Sequence, residues 1–504
     1  MASPPDIGYS DGASSGATAT RPRALSTNPA TRLADDLWSE LRAAGRFPPG
    51  HKSLSMRRTL DMVDDPLSIL MPLYEEYGPV FTVRLLHVPT VFMLGPAANR
   101  FVTVEHPECF HWREGSFGDL IPLLGDGLLT TDGAYHDQAR AIMMPAFHRE
   151  GIDAAVTTMV EEADRAMAGW RPGQTVDLYA WMRNLAMRIA MRALLGLDPD
   201  DAGSGARAAE YFERALAFYG IDFHKRMLRG PGSPFQKLVR SRRTLDEIVY
   251  AEITRRRRET GGADGAATRS GAAGGGAAGG GDILSLLIGA RDEQGRGLED
   301  SEIRDQVMTL MFAGHDTSTS TVTFMAYELA RHPEAMVKVA AELDAQLDGA
   351  ALPPAAQLDG AALPELEKAL DETLRLYPPA WIGPRRSVRA FEFAGTHVPA
   401  GAFVSYCSWA SHRLPEVFPD PETFDPERFT RERKAALPKG AYVPFGAGSR
   451  ICIGKRFGQS EVRAVMAMLL SRYRLELAPG RTMRIRQMPT LSPRDGLLIT
   501  LRDR

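Results

Sequence analysis

Apolar residues recur along this chain at two different periods, and the two divide it unevenly. From about Ala134 to Leu287, and again from Asp282 onward, they fall mostly at threes and fours, the spacing that gives an α-helix one apolar face. "GPVFTVRLLHVPTVFMLG" has another rhythm: two runs rich in Val, Phe and Thr with a break around His87 to Pro89, which predicts a β-hairpin. Short β-like pieces follow around "FEFAGTHVPAGAFVSY" and at the C-terminus. Near the N-terminus, "RLADDLWSELRAAGRFPPG" places Leu33, Leu37, Trp38 and Leu41 at helical spacing, and Pro48, Pro49 and Gly50 end the run. This stripe is short, so it predicts a terminal helix packed on the body rather than one lying on a membrane. The expected class is mainly α with a small β lobe, an α+β fold.

Two stretches carry neither period. Residues 1–31 are rich in Ser, Ala, Thr, Gly and Pro and are expected to form a disordered tail. The glycine tract of residues 261–281 cannot build a core and reads as a flexible surface insert between helices. It follows Arg255 to Arg258, a solvated helix end whose dipole favours positive charge. The rest, residues 32–504, is expected to be one catalytic domain.

Composition removes several function classes. The 504 residues are 44% hydrophobic and 24% charged, as in ordinary globular material, and the net charge of -3 gives no reason to expect a nucleic-acid partner. There is no apolar run long enough to span a bilayer and no secretory layout at the N-terminus. Three widely spaced cysteines, Cys109, Cys407 and Cys452, argue against a disulfide framework and for a reducing cytoplasm.

One cysteine stands out from this ordinary material. Cys452 sits in "FGAGSRICIG", with no second cysteine or histidine at zinc-ligand spacing and no local base to make it a nucleophile. Gly446, Gly448 and Gly454 allow positive φ and close approach to a flat object. The pattern after Gly454 is strongly helical, so the sulfur precedes a helix N-terminus, whose dipole favours a thiolate. Arg450 is placed to pair with an anionic group nearby. A thiolate beneath a planar anionic cofactor is what heme iron requires. Cys109 and Cys407 read as packing residues.

The spacing F-x-x-G-x-R-x-C-x-G, filled by Phe445, Gly448, Arg450, Cys452 and Gly454, resembles the heme-binding loop of the cytochrome P-450 family. The resemblance runs from about Phe47 to the C-terminus through four further motifs in the family's order. "AGHDT", Ala313 to Thr317, lies in a helical segment from about Ser301 to Arg331, roughly 45 Å long. "HDTSTSTVT" is a poor helix sequence, and such a stretch calls for a tertiary or functional reason. By resemblance, Ala313 and Gly314 open a groove over the heme, and Asp316 and Thr317 are catalytic, delivering protons during oxygen activation. "ETLR" puts Glu372 and Arg375 on one helix face, and Arg428 of "FDPERF" completes the family's structural trio. In "HDQAR", His136 and Arg140 would hydrogen-bond the heme propionates. An arginine of "PPAWIGPRRSV" would do the same: Arg385 by spacing, with Arg386 still open.

The resemblance implies a triangular helical prism around heme b, with Cys452 as the proximal iron ligand; this ligation is a standard example of thiolate-bound heme. It further implies a soluble, cytoplasmic, bacterial-type monooxygenase that inserts one oxygen atom of O₂ into a C–H bond. Electrons would come from NAD(P)H through a ferredoxin and its reductase, docking near Lys455, Arg456 and Arg140. The substrate would be a hydrophobic small molecule such as a terpenoid, steroid or fatty acid, lined by Met308, Phe312, Trp381 and Leu491. A monomer without a transmembrane anchor is expected. Two alternatives are a peroxide-driven peroxygenase and a heme-thiolate sensor without turnover; the intact Asp316–Thr317 pair speaks against both.

Overall fold

The computed structural model describes residues 21–504 apart from 23, 27, 44–46, 202, 222, 264–281, 348, 351 and 481–482. Residues 1–20 of the expected tail and most of the expected glycine insert therefore lie outside the described residues. Helix dominates. The helices that matter below are α1 (Pro29–Ala43), α2 (Met56–Asp64), α3 (Gly133–Met143), α4 (Leu178–Ile189), α5 (Ser204–Leu216), α6 (Pro234–Ala263), α7 (Asp300–Arg331), α8 (Pro364–Leu376) and α9 (Lys455–Leu470).

The strands β1 (Gly50–His51), β2 (Val80–Leu85), β3 (Val88–Met93), β4 (Phe110–His111), β5 (Ile382–Ser387) and β6 (Phe403–Cys407) form one sheet in the order β1-β2-β3-β6-β5-β4. The predicted hairpin is β2–β3, but its turn is tighter than expected. Leu85 pairs with Val88, and Pro89 already lies in the strand opposite Arg84. Leu86 makes the turn with a φ of 51°.

The long α7 threads the middle of the molecule, packing on α4, α8 and α9. A capping box of Glu299 and Glu302 starts it. Its hydroxyl-rich stretch stays helical because Thr317, Thr319, Thr321 and Thr323 each donate to the carbonyl four residues back, at 2.7, 2.7, 2.8 and 2.7 Å. Each hydroxyl is thus satisfied within its own helix and can be buried.

Two expectations about the N-terminal region change. From Arg21 the chain already lies on the body, with Arg21 paired to Asp126 and Asp305, and the first helix begins at Pro29. That helix is also turned opposite to the expected way. Asp36 reaches His87 and Arg386, and Glu40 reaches Arg84, so its polar face packs on the sheet. Leu33, Leu37, Trp38 and Leu41 are exposed. Ion pairs supplied by the hairpin and by β5 outbid the apolar stripe for the body.

Candidate active site

The cysteine loop is held from behind. Cys452 N–H donates to the Phe445 carbonyl at 3.0 Å, and Gly446 N–H to that of Val443 at 3.0 Å. Gly446 and Gly448 have φ of 67°, as their glycine identity allows. A Cβ on Gly448 would come within 2.0 Å of the Thr103 carbonyl oxygen, so that glycine serves backbone packing. Gly454 differs from the expectation: its φ is -85° and it caps α9 in an ordinary conformation. Cys452 itself is accessible. Its pKa is raised, not lowered: the protein crowding the sulfur outweighs the Gly454 N–H and the charges of Arg140 and Lys455.

At the loop, four basic groups converge from three parts of the chain. His136 and Arg140 come from one face of α3, Arg385 from β5, and Arg450 from the loop. Burial and the neighbouring Arg450 push His136 down to about 4. Burial lowers Arg450 to about 10, with Arg385 and Arg140 adding to the effect. Arg450 spends its hydrogen bonds on Asp132 at 2.6 Å and on the carbonyls of Thr131 at 2.6 Å and Leu128 at 3.2 Å. Buried Arg385 stacks 3.7 Å over Trp112 and bonds the Pro384 carbonyl. Neither Arg385 nor Arg140 has an ion pair with a carboxylate among the described residues. Strand alternation separates the two candidate arginines: Arg386, one position on, points away to Asp36 at 3.1 Å.

The opposite wall is α7. From Asp305 to Ala326 this helix is buried everywhere except at Phe312, Ala313, Gly314 and Thr317. Those four make one window on an otherwise covered helix. Next to it, Asp316 accepts from Arg183 at 2.7 Å and meets His315 Nδ1 at 3.1 Å. Burial alone would raise the Asp316 pKa, but His315 and Arg183 outweigh it and hold the carboxylate ionised. His315 Nε2 lies 3.1 Å from Glu213 of α5, which is 37% exposed. Burial works against its protonation, but the carboxylates of Asp316 and Glu213 lift His315 to about 8. Arg183 also pairs with Glu213, at 2.8 Å. Arg183, Glu213 and His315 were missed from sequence. Only the histidine, inside "AGHDT", offered a local signal.

Behind the loop, Glu372 and Arg375 are fully buried and paired through two bonds of 2.7 and 2.8 Å. Arg375 also donates to the carbonyls of His412, Pro421 and Thr423. His412 in turn bonds the Arg375 carbonyl through Nδ1 at 3.2 Å and accepts Val443 N–H through Nε2 at 3.0 Å. Burial and then Arg375 hold His412 down near 3, keeping it neutral for that acceptor role. The pair is thereby wired to the cysteine loop. Arg428 is the loose member, 3.5 Å from Glu372.

The expected pocket residues scatter. Trp381 and Leu491 fill the core behind the sheet together with Trp409 and Phe324, and Met308 is buried in the main core. Only Phe312 stays partly open, at the end of an aromatic run: Phe235 to Phe218 at 6.1 Å, Phe218 to Tyr219 at 5.2 Å, Tyr219 to Phe312 at 6.1 Å. Cys109 and Cys407 are buried packing residues, as expected.

This architecture, an accessible sulfur on a stiff loop, a nest of cations beside it and a windowed helix, defines a heme-thiolate protein. Residues 48–500 match the cytochrome P450 family model, and the chain belongs to that family of monooxygenases. It is 35% identical to the cyclooctat-9-en-7-ol 5-monooxygenase of Streptomyces melanosporofaciens, over 88% of this chain and 92% of that one. It is 31% identical to the pentalenene oxygenase of Streptomyces avermitilis, over 72% and 76%. Among solved structures, retinoic acid bound cyanobacterial CYP120A1 superposes with a TM-score of 0.77 at 28% identity, covering 91% of this chain and 99% of that one. No described helix is long and apolar enough to cross a membrane.

The family's cofactor is heme, and the residues present fit it. A Cβ on Gly314 or on Gly454 would meet nothing within 4 Å, so protein packing does not explain either glycine. A flat group between α7 and the loop would account for both. The cations without carboxylate partners suit its propionates, and the accessible sulfur suits its iron.

Proposed function

We propose that the chain hydroxylates a hydrophobic, terpenoid-like small molecule with O₂, drawing electrons from a ferredoxin. The aromatic run ending at Phe312 carries the substrate reading. It leads to the window on α7 and offers hydrocarbon contact with one hydroxyl, Tyr219, already bonded to the Asp119 carbonyl. The names of the two Streptomyces relatives specify oxygenation of largely hydrocarbon compounds, which supports the same class. A panel of terpenoid alcohols and hydrocarbons, assayed by heme spin-state change and by oxygen uptake with ferredoxin, reductase and NADPH, tests it. Turnover with peroxide but none with O₂, ferredoxin, reductase and NADPH would overturn the oxygen-dependent reading.

Cys452 would hold the iron, while Arg385, Arg140, His136 and Arg450 would hold the propionate edge; heme, when bound, supplies the oxygen-activating chemistry. His136 bonds Asp137 through Nδ1, so donating to a propionate as well requires the imidazolium. A second carboxylate beside the ring favours that form. On the α7 side, Glu213 would take protons from solvent, His315 would carry them inward, and Asp316 would release them beside Thr317. Asp316→Asn is expected to lower product formation about 100-fold. Thr317→Ala is expected to send electrons into free hydrogen peroxide while NADPH consumption continues. Product, peroxide and NADPH assays check both, and unchanged coupling in the second variant removes Thr317 from the relay.

The electron donor is expected on the face behind the loop. A depression of about 310 Å³ there is lined by Lys434, Lys439, Lys455, Phe445 and Gly446, among others. An acidic ferredoxin complements those lysines. Reversing Lys455 and Arg456 to Glu should slow reduction roughly tenfold and weaken its salt dependence. Stopped-flow reduction at two ionic strengths checks this.

A further inference from the structure

Sixteen large hydrophobic side chains are exposed among the described residues, and they are not scattered. Eight lie between Leu33 and Val63, on α1, α2 and the link between them. On α1, Leu33, Leu37 and Leu41 repeat at four-residue steps with Trp38 beside them, and Trp38 and Leu41 are 64% and 68% exposed. On α2, Met56, Leu60 and Val63 follow at steps of four and three. Each helix thus turns an apolar stripe outward.

The two stripes belong to one surface because both helices flank the same hairpin turn. His87 meets Asp36 of α1 at 3.3 Å, and Leu86 N–H donates to Thr59 of α2 at 3.0 Å. Arg84 ties Glu40 of α1 to the Lys52 carbonyl just before α2. At the far end, Gln487 bonds the Asp64 carbonyl and brings exposed Met488 alongside. Nine of the sixteen therefore lie around this hairpin turn.

We propose that this side is an interfacial membrane-docking surface, with the stripes of α1 and α2 seated at the headgroup–acyl boundary of a bilayer. The polar groups argue for lipid over a second protein. Protein interfaces need directional hydrogen bonds, but two of the three acids of α1, Asp36 and Glu40, are spent on Arg84, His87 and Arg386, and Arg58 on the carbonyls of His51 and Ser53. What remains facing outward is hydrocarbon and indole, with Arg42, Lys52 and Arg57 exposed around it. Long cations beside a Trp–Leu stripe suit an interface that is apolar within and phosphate-rich at its edge. Exposed Asp35 and Asp64 make the border mixed in sign, so apolar insertion, not lipid charge, is the driving term.

The test uses the full-length holoenzyme and flotation with large vesicles of phosphatidylcholine, alone or with roughly one third phosphatidylglycerol. The expected result is co-flotation with both, differing by less than about threefold, and persisting in high salt. Trp38→Glu with Leu41→Glu should cut partitioning by about tenfold or more. Leu60→Glu, on the other helix, should cut it independently. The reduced carbon monoxide spectrum of each variant should stay as in the parent, since these positions are exposed. Failure to float with either vesicle, flotation only with the anionic lipid at low salt, or unimpaired flotation of the variants overturns the proposal. So does a dimer, seen by light scattering without vesicles, that Trp38→Glu dissolves while the parent ignores lipid.

Discussion

Cys452→Ser is expected to give a protein that has lost the strongly red-shifted band of the reduced carbon monoxide complex and all monooxygenase turnover. The loop itself should survive, because its bonds are made by backbone: Cys452 N–H to Phe445 and Gly446 N–H to Val443. What changes is the ligand atom. Crowding by protein already raises the Cys452 thiol pKa against the pull of Gly454 N–H, Arg140 and Lys455. A thiol can still ionise when iron arrives, because its ordinary pKa is only about 8.5. A serine hydroxyl starts far higher and meets the same crowding, so it stays neutral and binds iron weakly or not at all. Folding by circular dichroism, with heme content and the carbonyl spectrum measured together, separates ligand loss from unfolding. A folded variant that keeps the red-shifted band would show that another residue is the proximal ligand.

Arg375→Ala is expected to destabilise the fold by about 3–5 kcal/mol, the usual cost of leaving a buried charge without its partner. Both partners are at 0% side-chain exposure. Removing the guanidinium leaves Glu372 with Arg428 at 3.5 Å and the Asp425 N–H, and strips three carbonyls of their donor. His412 would also lose the positive neighbour that helps keep it neutral, and through its bond to Val443 N–H the cysteine loop would loosen. Low heme retention should accompany the stability loss. Arg375→Lys should recover only part, since an ammonium cannot make the two-pronged bond. Arg428→Ala should cost about 1 kcal/mol, in keeping with its longer contact. Urea midpoints and heme content measure all three, and a parent-like midpoint for Arg375→Ala would make the pair dispensable.

Much of this site could be read from short spacings. Five loop positions, a pair at i and i+3, a pair at i and i+4 and one long helical run are local patterns; the structure sets His136 and Arg140 beside Arg450 of the loop and links Arg375 to the loop through His412. What short spacings leave out is packing. Trp381 and Leu491 were expected to line the pocket by resemblance to the family, and in the fold they pack with Trp409 and Phe324 from other parts of the chain. The helix dipole was expected to settle Cys452, but the crowding that opposes it comes from the folded protein around the sulfur.

Periodicity determined on its own that the chain is mostly helical with a small sheet, and the loop motif determined that its chemistry is that of a heme-thiolate. Tertiary structure alone decided which side each stripe faces. It turned α1 with its leucines outward, because Arg84, His87 and Arg386 are waiting for Asp36 and Glu40. It also chose Arg385 over Arg386 for the cation cluster and gave Asp316 its partners, one of them Arg183, 133 positions earlier. A period says that a helix has two faces; only the neighbours brought by folding say which of them is worth burying.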